Sequence, residues 1–393
     1  MPDPSPRGSA RRPALAPSAG AVRDLRGGVR LALDGVRAGL DRLEAAHRRL
    51  ADVDPPPRML RAVPRGWERF VYRGLRGSAD LLGGGLDLAL ASVQAAVQDY
   101  RQDRVPPPGS PARESLVAAV NALVGDHLHR TDNPLALPTR LRVRGEPLAR
   151  VLVLVHDLGL APLHWRQGRH DHGEALGAAL GATPVYAHYN SGRAVASVAR
   201  ELAQELDTVL GSWRVPLQGV ALLGHGLGGL VLRSAWLQAS RAGLAWPAHV
   251  RHMVFLGTPH HGAQRDGLRL GSGALLPQGL VGPLSRLAHR RSDGLRDFLE
   301  GQVLERDPRT GDAAAHAVAG LPPSVHCHAV AGAVGDGRGD GVVPVASALG
   351  QHPVATRDLQ LPAEHRWTVQ GVDHLGLLAS QAVFQKVRQW LSA

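Results

Sequence analysis

The chain has 393 residues, 44% of them hydrophobic and only 4% aromatic, with a formal net charge of +11. That length can bury a large core and accommodates one main domain plus an addition. No run of 18 uncharged apolar residues occurs, which excludes a conventional transmembrane helix, and a single cysteine, Cys327, excludes an internal disulfide.

The positive charge is almost wholly arginine, since Lys386 is the only lysine, and it is concentrated at the front: residues 1–113 hold 19 Arg against 12 Asp and Glu. With 47 Gly and 29 Pro, this reads as the codon bias of a GC-rich genome as much as selection for an anionic partner. Residues 1–20 carry prolines and arginines where a secretory signal needs an unbroken apolar core, which predicts a disordered tail and a cytoplasmic protein. Residues 21–137 read as a separate helical region. Over 22–51, Leu25, Val29, Leu33, Val36, Leu40 and Leu43 make one stripe at helical spacing, and Pro55 to Pro57 end it. A second helical unit over 67–97 is closed by Pro106 to Pro108, and a third helix spans 114–127. Such stripes serve a packing domain. Trp67, Phe70 and Tyr72, set among arginines between Arg58 and Arg76, suit peripheral membrane contact instead. No recognition motif accompanies the charge, so no nucleic-acid partner is expected.

From residue 138 onward strands and helices alternate. An apolar strand over 150–157 runs into His156-Asp157-Leu158-Gly159, and a strand over 183–189 into Asn190-Ser191-Gly192-Arg193 and an amphipathic helix ending near 209. A strand from Val220 then reaches the turn Gly224-His225-Gly226-Leu227-Gly228-Gly229, which opens another helix, and a strand over 252–257 leads into Thr258-Pro259-His260-His261-Gly262. This rhythm predicts a mostly parallel sheet with helices on both faces. It breaks over 263–323, a leucine-bearing stretch where a lid would cover an apolar cleft; the leucines suit an acyl or other hydrophobic ligand and suit a core equally well. A core strand over 324–331 makes Cys327 an inert buried thiol. Asp340 follows in GDGVVPV and His374 in VDHLGLL.

Gly224, Gly226 and Gly229 also satisfy GxGxxG, the dinucleotide fingerprint. That motif needs an acidic residue about 20 positions on, and none occurs between Asp207 and Asp266. Taken together, VHDLG, HYNSGR, GHGLGG, LGTPHHGA, GDGVVPVASALG and VDHLGLL resemble the bacterial esterase and lipase group of α/β-hydrolases, akin to the α/β domain of GPI inositol-deacylases, over 138–393. The resemblance implies an α/β-hydrolase fold with an N-terminal helical region and a lid insertion, and no cofactor. It puts Gly226 at the nucleophile position of GxSxG, Asp340 as the acid, His374 as the base, and the Leu158 and Leu227 amides as the oxyanion hole.

Two residues depart from that pattern. Gly226 has no side chain with which to attack a carbonyl, and Asp157 stands where a His-Gly turn has glycine. A carboxylate about 4 Å from a developing oxyanion opposes it by about 4 kcal/mol at an effective dielectric of 20. The pair points to a pseudo-hydrolase or a ligand-binding protein for a hydrophobic or acyl-containing small molecule. The alternative is an active carboxylic-ester hydrolase seen as a serine-to-glycine variant. Asp336 is a second candidate for the acid. His170-Asp171-His172 with Glu174, and His260-His261, offer metal-ligand types, but neither completes a zinc motif, so no metal site is expected there.

Overall fold

The computed structural model describes Asp24, residues 27–31, Asp34, Gly35 and residues 110–264, 292–306 and 320–392. The tail over 1–20, the expected helical unit over 67–97 with its aromatic residues and arginines, and residues 265–291 of the expected lid lie outside the described residues. Of the stripe over 22–51, the eight described residues are helical. They rest on helix α1 (Pro111–Arg130) through an Asp24–Arg113 ion pair and a 2.9 Å contact between His127 and Asp34. Helix α1 is longer than the 114–127 expected because its start is well made: proline opens the first turn and the Ser110 hydroxyl accepts from the Arg113 amide.

Seven strands form the main sheet: β1 (Arg140–Val143), β2 (Arg150–Val155), β3 (Ala182–His188), β4 (Gly219–His225), β5 (Val250–Leu256), β6 (His326–Ala333) and β7 (Arg366–Gln370). Their order is β1-β3-β2-β4-β5-β6-β7, with β1 antiparallel to β3 and every other pair parallel. Side chains alternate between the two faces of a strand. Val151, Val153 and Val155 therefore pack on one face with helices α3 (Val195–Gly211) and α4 (Leu227–Arg241), while Leu152 and Leu154 pack on the other. There they meet α2 (His172–Leu180) and the C-terminal helix Gln381–Leu391. Each such wholly buried aliphatic side chain contributes about 2 kcal/mol. The chain thus has the mostly parallel sheet with helices on both faces that its strand rhythm predicts, in the α/β-hydrolase fold that the resemblance implies.

Strand β2 lies between β3 and β4, so chain progression reverses there. In an open parallel sheet the crevice beyond the carboxyl ends of the strands at such a reversal is where ligands bind. Val155 of β2 pairs with Gly224 of β4, which sets Asp157 and Gly226, each two residues farther on, side by side above that edge. Helix α4 comes down close to the end of β2: a Cβ on Gly228 would lie 2.1 Å from the Val155 carbonyl oxygen. Among the described residues no helix is long and apolar enough to cross a membrane.

Candidate functional site

Gly226 follows β4 and caps α4 in a sharp turn with φ +50° and ψ −120°, a region that strains any residue with a side chain. Its amide donates to the Leu256 carbonyl at 2.9 Å and its carbonyl accepts from the Gly229 amide at 3.1 Å, so the turn is held from both sides. This is the geometry of a nucleophile elbow. The space that a side chain would enter is filled. A Cβ built on Gly226 would lie 2.0 Å from Oδ1 of Asp157, 2.2 Å from its Cγ and 2.6 Å from Oδ2.

Asp157 is buried and its carboxylate is fully engaged. Oδ1 accepts from the Leu227 amide at 2.6 Å, and Oδ2 faces Nε2 of His374 at 2.9 Å. From the sequence, Asp157 stands near an open oxyanion hole as a repelling charge. In the structure the carboxylate is seated on the Leu227 amide itself, the donor that the resemblance assigns to the oxyanion hole. Leu158, bearer of the other expected oxyanion amide, follows Asp157 in the same turn. Gly159 then donates to the Ser191 hydroxyl at 3.0 Å, which ties the turn to the one after β3.

His374 is held on its other side by Asp340. Nδ1 of His374 meets Oδ2 of Asp340 at 2.7 Å, and the His374 amide donates to the Asp340 carbonyl at 3.0 Å. The GDGVV turn aims that carboxylate, because Oδ1 accepts from the amides of Val342 and Val343 at 2.9 and 2.7 Å. Asp336, the other candidate acid, is exposed and pairs with Arg338. The imidazole thus sits between two carboxylates. Burial alone would lower its pKa, but the hydrogen bonds to Asp157 and Asp340 and their charges outweigh burial and raise it to about 10. Burial would likewise raise the Asp157 carboxyl; the His374 hydrogen bond and charge outweigh it and hold the group below the usual carboxylate range.

His225, read from the sequence as a packing residue, belongs to the same constellation. Its Nε2 donates to the His374 carbonyl at 2.9 Å and the two rings lie 4.6 Å apart. The signal available was its place in the elbow, immediately before Gly226. Helix α5 (Asp293–Glu300), within the stretch expected to form a lid, brings Phe298 edge-on to His374 with ring centres 6.5 Å apart. Asp297 anchors that helix by accepting from the Val195 amide and Arg306, each at 2.8 Å.

The other candidate histidines make contacts of their own. His170 Nε2 and His172 Nδ1 are 2.6 Å apart, Nε2 of His172 lies 3.1 Å from the Leu377 carbonyl, and Glu174 pairs with Arg166. Asp171 accepts from the Tyr186 hydroxyl at 2.6 Å and caps α2. His260 is buried against Arg233, 3.1 Å from its guanidinium. Cys327 is buried, and burial pushes its thiol up to about 12, as an inert thiol requires.

No protein-family model and no curated protein matches the sequence. Among solved structures, the mature lipase BlEst2 of Bacillus licheniformis is 17% identical with a TM-score of 0.44, over 65% of this chain and 98% of that one. An α/β-hydrolase superfamily protein from Enterococcus faecalis is 15% identical with a TM-score of 0.41, over 65% and 95%. The esterase of Pyrobaculum calidifontis is 12% identical with a TM-score of 0.39, over 77% and 96%. At these values the fold stands on the sheet order and the elbow rather than on the likenesses.

Proposed function

We propose that this protein is a pseudo-hydrolase: an esterase- or lipase-like scaffold, akin to the α/β domain of GPI inositol-deacylases, whose elbow no longer forms an acyl-enzyme and whose cleft holds a hydrophobic or acyl-bearing small molecule without cleaving it. The observation that carries this reading is the 2.0 Å separation between a Cβ at position 226 and Oδ1 of Asp157. Glycine at 226 and aspartate at 157 fit one another, and a serine placed beside this aspartate would overlap it. A lone serine-to-glycine change in a working hydrolase would leave the aspartate unexplained. Phe298 beside His374 supplies apolar surface for the ligand.

The test is a pair of measurements on the chain as it stands and on Gly226→Ser. A fluorophosphonate probe labels only an activated nucleophile. Neither form should be labelled, and neither should turn over a short-chain p-nitrophenyl ester. Full esterase activity in Gly226→Ser would establish the alternative, a disabled serine hydrolase, and end this proposal.

A further inference from the structure

We propose that Asp157, His225 and His374 bind a divalent transition-metal ion of the zinc type. One carboxylate oxygen and one ring nitrogen from each histidine lie within 4.8 Å of one another, and all three side chains are buried. Among the described residues this is the one set of three or more His, Cys, Asp or Glu side chains placed so. Two imidazoles and a carboxylate form a donor set suited to zinc, with the fourth position open to water or a ligand.

The surroundings of the histidines match what ligation needs. A metal-bound imidazole has its other nitrogen fixed by an acceptor, which sets the tautomer and the ring direction. Nδ1 of His374 is tied to Asp340 at 2.7 Å, and Nε2 of His225 to the His374 carbonyl at 2.9 Å. The nitrogens left for a metal are therefore Nε2 of His374 and Nδ1 of His225. The second of these has no hydrogen-bond partner among the described residues although His225 is wholly buried. A buried polar atom without a partner asks for an explanation, and an ion supplies one.

Donor atoms about 2.0–2.2 Å from a tetrahedral ion lie about 3.4 Å from one another. Oδ2 of Asp157 and Nε2 of His374 are 2.9 Å apart, so the ion enters by widening this contact slightly. The proton that they share leaves to solvent and the metal takes the Nε2 lone pair, as metal binding at imidazole generally requires. This inference rests on the reading that His374 no longer serves a serine. Its failure would leave that reading standing, because absence of probe labelling does not depend on metal.

The experiment is titration of the chelator-treated full chain with Zn2+ by calorimetry, and with Co2+ followed by visible absorption. One ion per chain and the intense d–d bands of a four-coordinate Co2+ are expected. Asp157→Asn and His225→Gln, each checked for retained circular dichroism, should weaken binding by roughly 100-fold or more; Asp340→Asn, acting through His374, should weaken it by about 10- to 100-fold. Double substitution of His326 and His365, which lie in a separate ring cluster at the start of β6 and β7, should leave it unchanged. No binding to the unaltered chain overturns the proposal. So does binding at undiminished affinity in both folded ligand variants, and so does loss of binding in the His326 and His365 variant alone.

Discussion

Gly226→Ser is expected to destabilise the fold by about 5 kcal/mol, far more than backbone strain alone implies. At φ +50° and ψ −120° a non-glycine residue costs about 1–3 kcal/mol, and the sequence points to a value near the lower end. The structure adds a collision. With Oδ1, Cγ and Oδ2 of Asp157 at 2.0, 2.2 and 2.6 Å from the new Cβ, the carboxylate must move by more than an ångström to reach ordinary contact. That movement gives up its bonds to the Leu227 amide and His374 Nε2, each with an ionised acceptor and worth about 1.5–3 kcal/mol. Asp157→Gly alone forfeits the same two bonds. In the double variant the serine meets no carboxylate, so only the strain is added. Urea denaturation of the four proteins at neutral pH, with the slopes compared, should give a double variant about 3 kcal/mol more stable than the sum of the single losses predicts. Additivity within about 0.5 kcal/mol would refute the reasoning, because it would mean that Asp157 does not fill the side-chain space of residue 226.

His328, 3% exposed, sits among His252, His326, His365 and Lys386 and stacks on Trp390 at 4.6 Å; burial first, then the neighbouring histidines, depress its pKa to about 3. Because the unfolded chain takes up this proton near its ordinary pKa and the folded chain does not, stability present above that pKa is lost as pH falls, by about 2 kcal/mol from about pH 7.5 to 5. His328→Phe should remove that much of the acid sensitivity in denaturation curves at the two pH values, and an unchanged pH slope would show that the site takes up its proton while folded. Burial raises the Asp297 carboxyl to about 6, with the Arg306 hydrogen bond opposing the rise. A folded-state pKa above the unfolded one means that ionisation costs stability as pH rises through 6, and Arg306 offsets that cost. Arg306→Met should therefore destabilise by about 3 kcal/mol at pH 8 and by clearly less at pH 5; an equal loss at both would assign the effect to packing rather than to the ion pair.

Strands β2 to β6 were legible because they are buried on both faces and read as apolar runs of the right length, bounded by glycine turns. Strand β1, RLRV, was not: it is four residues long, pairs on one side only and is half exposed, so alternation has nothing to mark. Strand β7, RWTVQ, is half-buried in the same way, with one fully buried position, Val369. At the site, Asp340 and His374 could be named through the resemblance of GDGVVPV and VDHLGLL to the family's acid and base turns, and the tight glycine-valine turn favoured Asp340 over Asp336. Asp157 and Gly226 could be named too, but only as two separate departures from the family's pattern, since distance along the chain hides that β2 and β4 are neighbours. Their register brings the two strand ends together, and there the absence of a Cβ on one side is the room taken by a carboxylate on the other. Neither change fits well without its partner. Serine beside Asp157 overlaps it, whereas glycine at 226 beside a second glycine at 157 would leave the Leu227 amide and His374 Nε2 facing an unfilled gap. On the proposed reading the pair is one alteration of the elbow, so serine chemistry there would require both positions to change together.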